Sequence, residues 1–328
     1  MWIKDFERCE LCAWSCKVNR LKEAGVCRVN VPEVATLNIS YATRSVTVTM
    51  LGCCFRCIYC NAYRISQYPD VGWFYKGFLS LEDLTNEVVK LYESEKSRKL
   101  NINSLSFTGG EPTIHWPYIE EVINLVRERI SYVKVGIATN GFSKRFREVL
   151  SKVDWINFEV KAFDDEVHRA ITGAPIATVL SNLKVLVKEF PEKIRVVRTV
   201  VIPKINETQV LKIAEFLASI DSETPYRLIG YRPNFITYYH PGPSKKLMEN
   251  LVKRAKKAGL KNVSFSGWYP YRYKVRAEGV LAYKSEEARI AASYARAAGC
   301  AHHPRDCGSC KLRQSCPAMI MEPWHVKA

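Results

Sequence analysis

The sequence predicts an α/β fold, a partial (β/α)6 barrel with N- and C-terminal metal-cluster extensions. Two observations predict it. From residue 45, short β-branched runs alternate with longer amphipathic segments in six strand-helix units of roughly 30 residues, the pattern of parallel strands joined by helical crossovers. The twelve cysteines fall in three tight clusters, and only the middle one lies inside that alternation. Six units are too few to close an eight-stranded barrel. The chain divides on this basis into a four-cysteine segment at 1–40, the partial barrel at 41–240 and a cysteine-bearing extension at 241–328.

The units follow in order. Strands are expected at 45–51, 104–108, 133–139, 155–160, 194–202 and 226–231, from their β-branched runs. Amphipathic helices are expected at 81–95, 119–130, 144–151, 178–190 and 208–219. Ser80 stands before the first of these with Asp83 three residues on, an N-terminal cap. Asp164, Asp165 and His168 read as the cap and first turn of another helix. Beyond Ser244 the pattern loosens to a basic helix at 245–258, a short strand at 263–266, the aromatic stretch from Trp268 to Tyr273, read as a packing strap across the barrel mouth in preference to a base-stacking platform, and an Ala-rich helix at 285–298 ended by Gly299.

At 328 residues, 47% hydrophobic and 25% charged, the chain buries a large core and has an ordinary globular composition. Its cysteines are too sparse for a disulfide-stapled domain, and their clustering points to metal. Reduced thiols, with no signal peptide and no long apolar run, predict a cytoplasmic protein with no membrane partner. The formal charge of +16 is spread along the chain. Its densest run, Lys245, Lys246, Lys253, Arg254, Lys256 and Lys257, covers a broad helix face. Such a surface suits a nucleic acid, an acidic partner or an anionic nucleotide cofactor, and equally a solvated lysine-rich surface.

Each cysteine set has its own arithmetic. Cys53, Cys57 and Cys60, spaced Cys-x3-Cys-x2-Cys after the first strand, supply three thiolates to an iron-sulfur cube and leave one iron without a protein ligand. Cys54, next to Cys53 in an extended loop, is expected to point away from it as a bystander. Cys9, Cys12, Cys16 and Cys27 form a complete four-thiolate set, as do Cys300, Cys307, Cys310 and Cys316. His302 and His303 lie within the last loop as substitutes for one thiolate. One or two auxiliary sites are therefore expected, with 4Fe-4S favoured over zinc.

Cys53-x3-Cys57-x2-Cys60, with Tyr59 just before the last cysteine, resembles the signature of the radical S-adenosylmethionine superfamily. Thr108-Gly109-Gly110-Glu111-Pro112, after the second strand, resembles its Gly-Gly-Glu-Pro motif, and both motifs sit at strand ends where parallel βα folds bind ligands. The resemblance implies that the methionyl amino and carboxylate groups of S-adenosylmethionine bind the open iron of a 4Fe-4S cluster. Gly109, Gly110 and Glu111 then approach the amino group, Tyr59 the adenine, and Thr139 and Asn140 at the third strand end the ribose. From Lys161 to Arg169, and again through Asn182-Leu183-Lys184 and 197–203, the chain is most similar to pyruvate formate-lyase activating enzymes. That family has Asp-x-Lys where this chain has Glu159-x-Lys161, to which the resemblance gives an orienting carboxylate and a contact to the cofactor carboxylate. Cys307-x2-Cys310-x5-Cys316 is similar to part of the auxiliary-cluster module of peptide-modifying radical enzymes. The further cysteine expected at Ile320 is absent, leaving room for one auxiliary site at this end.

Taken together these features predict an enzyme that cleaves S-adenosylmethionine reductively and abstracts hydrogen from a peptide or protein, installing a glycyl radical or modifying a side chain. A reducing partner such as ferredoxin or flavodoxin is implied. The alternative is a tRNA-modifying radical enzyme, motivated by the charge and by the aromatic stretch at 268–273. A non-catalytic electron carrier is disfavoured by the missing fourth ligand.

Overall fold

The computed structural model describes residues 2–66, 75–270 and 280–320, the last without its side chain. The chain forms two compact units, Met1–Cys54 with Ala62–Asn157, and Phe55–Asn61 with Phe158–Ala328. These units cut the chain differently from the 1–40, 41–240 and 241–328 segments. The N-terminal cysteine segment shares a unit with the first strands, and the C-terminal set shares one with the later strands. The middle cysteine loop passes from one unit to the other between Cys54 and Phe55.

The first unit holds strands β1 (Glu33–Ser40), β2 (Ser45–Met50), β3 (Gly77–Phe78), β4 (Ser104–Gly109) and β5 (Lys134–Thr139), in the order β3-β1-β2-β4-β5. Its helices are α1 (Ile3–Glu7), α2 (Tyr63–Ser66), α3 (Leu81–Tyr92), α4 (Glu95–Lys99), α5 (Trp116–Arg129) and α6 (Phe146–Lys152). Strand β6 (Trp155–Glu159) begins in this unit. β2, β4 and β5 are parallel, as expected, and Met50 lies opposite Gly109. That register sets the residues following β2, which lead into Cys53, beside the Gly-Gly-Glu strand end. Val46, Val48, Met50, Leu105, Phe107, Val135 and Ile137 are fully buried in this sheet. From α5, Val122, Ile123 and Val126 are buried as well. Each such side chain contributes about 1.5–3 kcal/mol.

β1 was not expected. It pairs antiparallel with β2 through a tight turn at 41–44. Asn38 and the thread of small polar residues around it dilute the β-branched signal that marked the other strands. The expected 81–95 helix stops at Tyr92, because Ser94 caps a separate turn at Glu95, its hydroxyl accepting from Ser97 N. Ser80 caps α3 as read from the sequence, accepting from Asp83 N at 3.1 Å.

In the second unit β7 (Ile194–Val201), β8 (Tyr226–Gly230) and β9 (Val263–Ser266) are parallel in that order. The helices are α7 (Asp165–Thr172), α8 (Ala177–Glu189), α9 (Gln209–Ala218), α10 (Lys245–Lys257), α11 (Glu286–Ala297) and α12 (Pro317–Ile320). The helix start at Asp164–His168 is present as α7, which ends at Gly173 in the left-handed conformation, φ +75°. Among the described residues no single helix is long and apolar enough to cross a membrane.

Candidate active site and cysteine centres

In the first unit the Gly-Gly-Glu strand end is pressed against the cysteine loop. A Cβ on Gly110 would stand 1.8 Å from Gly52 O, and one on Gly109, at φ +119°, would stand 2.3 Å from Met50 O. Gly110 N donates to Met50 O at 3.0 Å and Glu111 N to Gly52 O at 2.9 Å. Both glycines are thus required by backbone packing against residues 50–52. Glu111 is 1% exposed. Its Oε1 accepts from Thr113 N, Thr113 Oγ1 and Thr139 Oγ1 at 3.1, 2.7 and 2.7 Å, and Oε2 from Asn140 N at 2.7 Å. One carboxylate therefore ties the end of β4 to the end of β5. Burial pushes its pKa up, against the pull of these four donors.

Asn140 continues from that tie to the thiols. Its Nδ2 donates to Cys53 Sγ at 3.8 Å and to Cys54 Sγ at 3.5 Å. Cys54 therefore does not point away from Cys53, as an extended loop would require. Instead both sulfurs reach one amide, and Cys54 also bonds Cys12, which lowers the Cys12 pKa while burial holds that of Cys54 well up. Trp14 Nε1 donates to Cys54 O at 2.8 Å, and Cys53 N to Cys27 O at 3.3 Å. The N-terminal cysteine segment is consequently built onto the central loop.

Within that segment Cys9, Cys12 and Cys27 are buried and Cys16 is partly so. Burial pushes the Cys16 thiol up to about 11, and Cys12, Cys27 and Cys9 add to the shift, so the four sulfurs act on one another. Beside them Arg20 is fully buried. Its guanidinium donates to Val29 O, Asn30 O and Ile114 O at 3.2, 2.8 and 2.6 Å and faces His115 Nδ1 at 3.3 Å. Nothing local in the sequence marks Arg20 for the interior, since its partners are up to 95 residues away.

In the second unit Tyr59 is 5% exposed, and its Oη has no hydrogen-bond partner among the described residues. The Lys161 ammonium stands 5.5 Å from the Tyr59 ring centroid. Lys161 pairs with Glu159 Oε1, while Arg198 Nε donates to Glu159 Oε2 at 2.9 Å. Two cations share one carboxylate, and burial lowers the Arg198 pKa. No sequence motif marks Arg198; its signal is that of a charged residue within a β-branched run that lies beside β6, where Val160 N donates to Arg198 O at 3.0 Å.

His168 belongs to the framework, as the helix-start reading has it: Nδ1 is 2.7 Å from Ala174 O, and burial lowers its pKa to about 4. Of the aromatic stretch, Trp268 is half exposed with Lys245 5.5 Å from its ring centroid. Tyr271 and Tyr273 lie outside the described residues.

Among the described residues no three His, Cys, Asp or Glu side chains are grouped at the spacing of a single-ion site. A cube takes each thiolate on a different iron, so its ligands stand further apart than those of one ion. The donor chemistry fits a cube at Cys53, Cys57 and Cys60. In the first unit the glycine packing and the Asn140 amide accompany Cys53, and in the second unit Lys161, paired with Glu159, stands over the Tyr59 ring within the stretch that carries Cys57 and Cys60.

Comparison with known proteins settles the family. The Radical SAM superfamily model matches residues 47–217. The chain belongs to the radical SAM superfamily. Membership makes it an enzyme and implies a 4Fe-4S cluster and S-adenosylmethionine. A protein of Methanocaldococcus jannaschii named as a glycyl-radical enzyme activating enzyme is 30% identical over 234 residues, which cover 69% of this chain and 82% of that one. The pyruvate formate-lyase-activating enzyme of Staphylococcus aureus is 23% identical over 193 residues, 55% of this chain and 71% of its own. A solved domain of a pyruvate-formate lyase-activating enzyme from Bacteroides vulgatus superposes with a TM-score of 0.42 at 21% identity, over 50% of this chain and 99% of that one.

Proposed function

We propose that this radical SAM enzyme cleaves S-adenosylmethionine reductively and abstracts a hydrogen atom from a peptide or protein substrate, installing a glycyl radical or modifying a side chain. One observation carries the reading: three thiolates at the superfamily spacing follow directly on Met50–Gly52, against which Gly110 and Glu111 of the neighbouring strand end are packed. Relatives named as activating enzymes support the substrate class. Cys53, Cys57 and Cys60 would hold the cube, which with S-adenosylmethionine bound would supply one-electron reductive cleavage of the sulfonium.

The chain's own residues position and insulate. Gly109, Gly110 and Glu111 shape the strand end for the methionyl amino group, and Thr139 and Asn140 offer polar groups to the ribose. Lys161, with Glu159 and Arg198, presents net positive charge to the methionyl carboxylate. Tyr59 faces the adenine with its free hydroxyl. The Asn140 amide, by donating to Cys53 Sγ, favours the reduced cluster. A ferredoxin or flavodoxin supplies the electron, and the outer cysteine sets form one or two auxiliary centres, 4Fe-4S in preference to zinc.

The test is anaerobic reconstitution with iron and sulfide, reduction, and measurement of 5'-deoxyadenosine. Cys57→Ala is expected to abolish its formation, and a well-loaded wild-type protein that forms none would overturn the reading. An organic-radical signal transferred to an added glycyl-radical enzyme supports the substrate class. Retention of tRNA with a steep salt dependence would move the substrate to nucleic acid instead.

A further inference from the structure

The C-terminal end of α7 is a platform on which two distant segments meet within the second unit. The last carbonyls of a helix have no partner in the helix itself and favour cations. Here Thr172 O accepts from Arg56 N at 2.7 Å, Ile171 O from Ile58 N at 3.0 Å and Gly173 O from Cys307 N at 2.9 Å. Arg305 fills the rest: Nη1 donates to Ala170 O at 2.8 Å and Ile171 O at 3.2 Å, and Nη2 to Arg56 O at 2.9 Å. One guanidinium thereby touches both the helix end and the loop that carries Cys57 and Cys60.

Arg305 is 3% exposed, and a guanidinium stays charged at any depth. Carbonyl dipoles solvate that charge without neutralising it. Among the described residues no carboxylate pairs with it. The adjacent Asp306 is turned to Arg169 at 3.6 Å and accepts from Gly308 N and Ser309 N. Arg305 Nε is buried with no hydrogen-bond partner among the described residues. Around the guanidinium stand cysteines: a Cβ on Gly173 would meet Cys307 Sγ at 2.3 Å and Arg305 Nη2 at 3.5 Å, so the two share one small space. Cys300 and Cys316 are near enough to act electrostatically on both Arg305 and Cys307. Thiols are neutral, and a buried cation among them is costly; Arg56, also buried, adds a second positive charge near Cys307 and Cys316. Cluster binding deprotonates the thiols, and three or four thiolates leave a cube anionic.

We infer that Arg305 is the buried counter-charge of an anionic metal-thiolate centre held by Cys300, Cys307 and Cys316, with Cys310 the fourth sulfur of the same loop. The N-terminal set has a counterpart in Arg20, likewise fully buried and bonded to main-chain carbonyls beside its thiols. The inference rests on the outer set binding metal and not on the reaction at the central loop. Its readouts are therefore metal content and melting temperature, which 5'-deoxyadenosine formation does not decide.

The experiment compares the full-length, anaerobically loaded wild type with Cys300→Ser/Cys307→Ser/Cys316→Ser, Arg305→Gln and Arg305→Lys. The triple-serine variant is expected to lose about four irons with their sulfide. Arg305→Gln should surrender that metal to a chelator at least about tenfold faster than wild type. Arg305→Lys, which keeps the charge, should restore retention in large part. The decisive comparison is a cycle. Arg305→Gln lowers the melting temperature of the wild type but raises it, or leaves it unchanged, in the triple-serine background, where the charge has no thiolates to balance. Wild-type metal content in the triple-serine variant overturns the inference. So does an Arg305→Gln change that lowers the melting temperature equally in both backgrounds, or that prevents folding in both.

Discussion

Two carboxylates at strand ends, Glu111 after β4 and Glu159 at the end of β6, carry opposite duties. Glu111 spends both oxygens on neutral donors of its own unit and is sealed from solvent. Glu159 sits between two cations and keeps about 15% of its side chain exposed. The first joins β4 to β5 and holds the shape against which the cysteine loop packs. The second sets the charge of its surroundings and leaves a cation in excess. Both are read from sequence simply as motif acids, and only their partners separate a framework acid from an electrostatic one.

The sharpest way to break this comparison is Glu111→Ala, which leaves the Thr139 hydroxyl, the Asn140 N–H and the Thr113 donors unpaired in the interior. The expected loss is about 3 kcal/mol or more, read as a lower urea midpoint, with iron content falling alongside. If Glu111→Ala keeps the wild-type midpoint while losing cofactor affinity, Glu111 is not a framework acid.

Gly110→Ala tests the same framework from its other side. A methyl 1.8 Å from Gly52 O forces backbone to move, and overpacking of this kind costs roughly 1–3 kcal/mol. Since the displaced backbone leads into Cys53, the variant should bind less iron at the central loop than its stability loss alone explains. An unchanged iron count would show that the loop tolerates the shift.

For the second unit the expected signature is reversed. Lys161→Met leaves Glu159 paired with Arg198, so no buried charge is stranded and its stability cost is smaller than that of Glu111→Ala. By removing the surplus cation it should weaken S-adenosylmethionine binding roughly tenfold, about 1.4 kcal/mol, measured by titration of the loaded enzyme. Tight binding retained alongside a large drop in melting temperature would exchange the two duties.

Legibility in the sequence followed the range of the interactions. The strands, their helices and the cap at Ser80 depend on neighbours a few residues apart, and the α/β alternation is visible without a structure. The three-cysteine loop and Gly-Gly-Glu are short motifs and equally visible. Hidden from the sequence were Arg20, Arg198 and Arg305, whose meaning depends on partners 39 to 249 residues away. The position of Cys54 is hidden for a related reason. The alternation of an extended strand sends adjacent side chains apart, whereas this loop curves enough for the Asn140 amide to reach both sulfurs.

The smallest effect is also the finest test of the Glu111 assignment, because pH acts on it in the opposite sense from its surroundings. His115, His168 and His240 are held neutral by burial, near 3, 4 and 4 against an ordinary 6.5. Their depressed values mean that the unfolded chain takes up protons the native chain does not. Stability is therefore full above pH 6.5 and falls as pH drops toward 4. Glu111 is raised by burial above its ordinary 4.5, so the native state holds a proton that the unfolded state has released. Its contribution falls as pH rises from 4.5 through its folded value and is constant beyond. Glu111→Gln removes only this second dependence. The amide sets a donor against Asn140 N–H, a cost that does not change with pH. The stability gap between wild type and Glu111→Gln should therefore shrink as pH rises through that window, measured as paired urea midpoints. A gap independent of pH would mean that the four donors on the Glu111 carboxylate cancel the effect of its burial, and a widening gap that they exceed it.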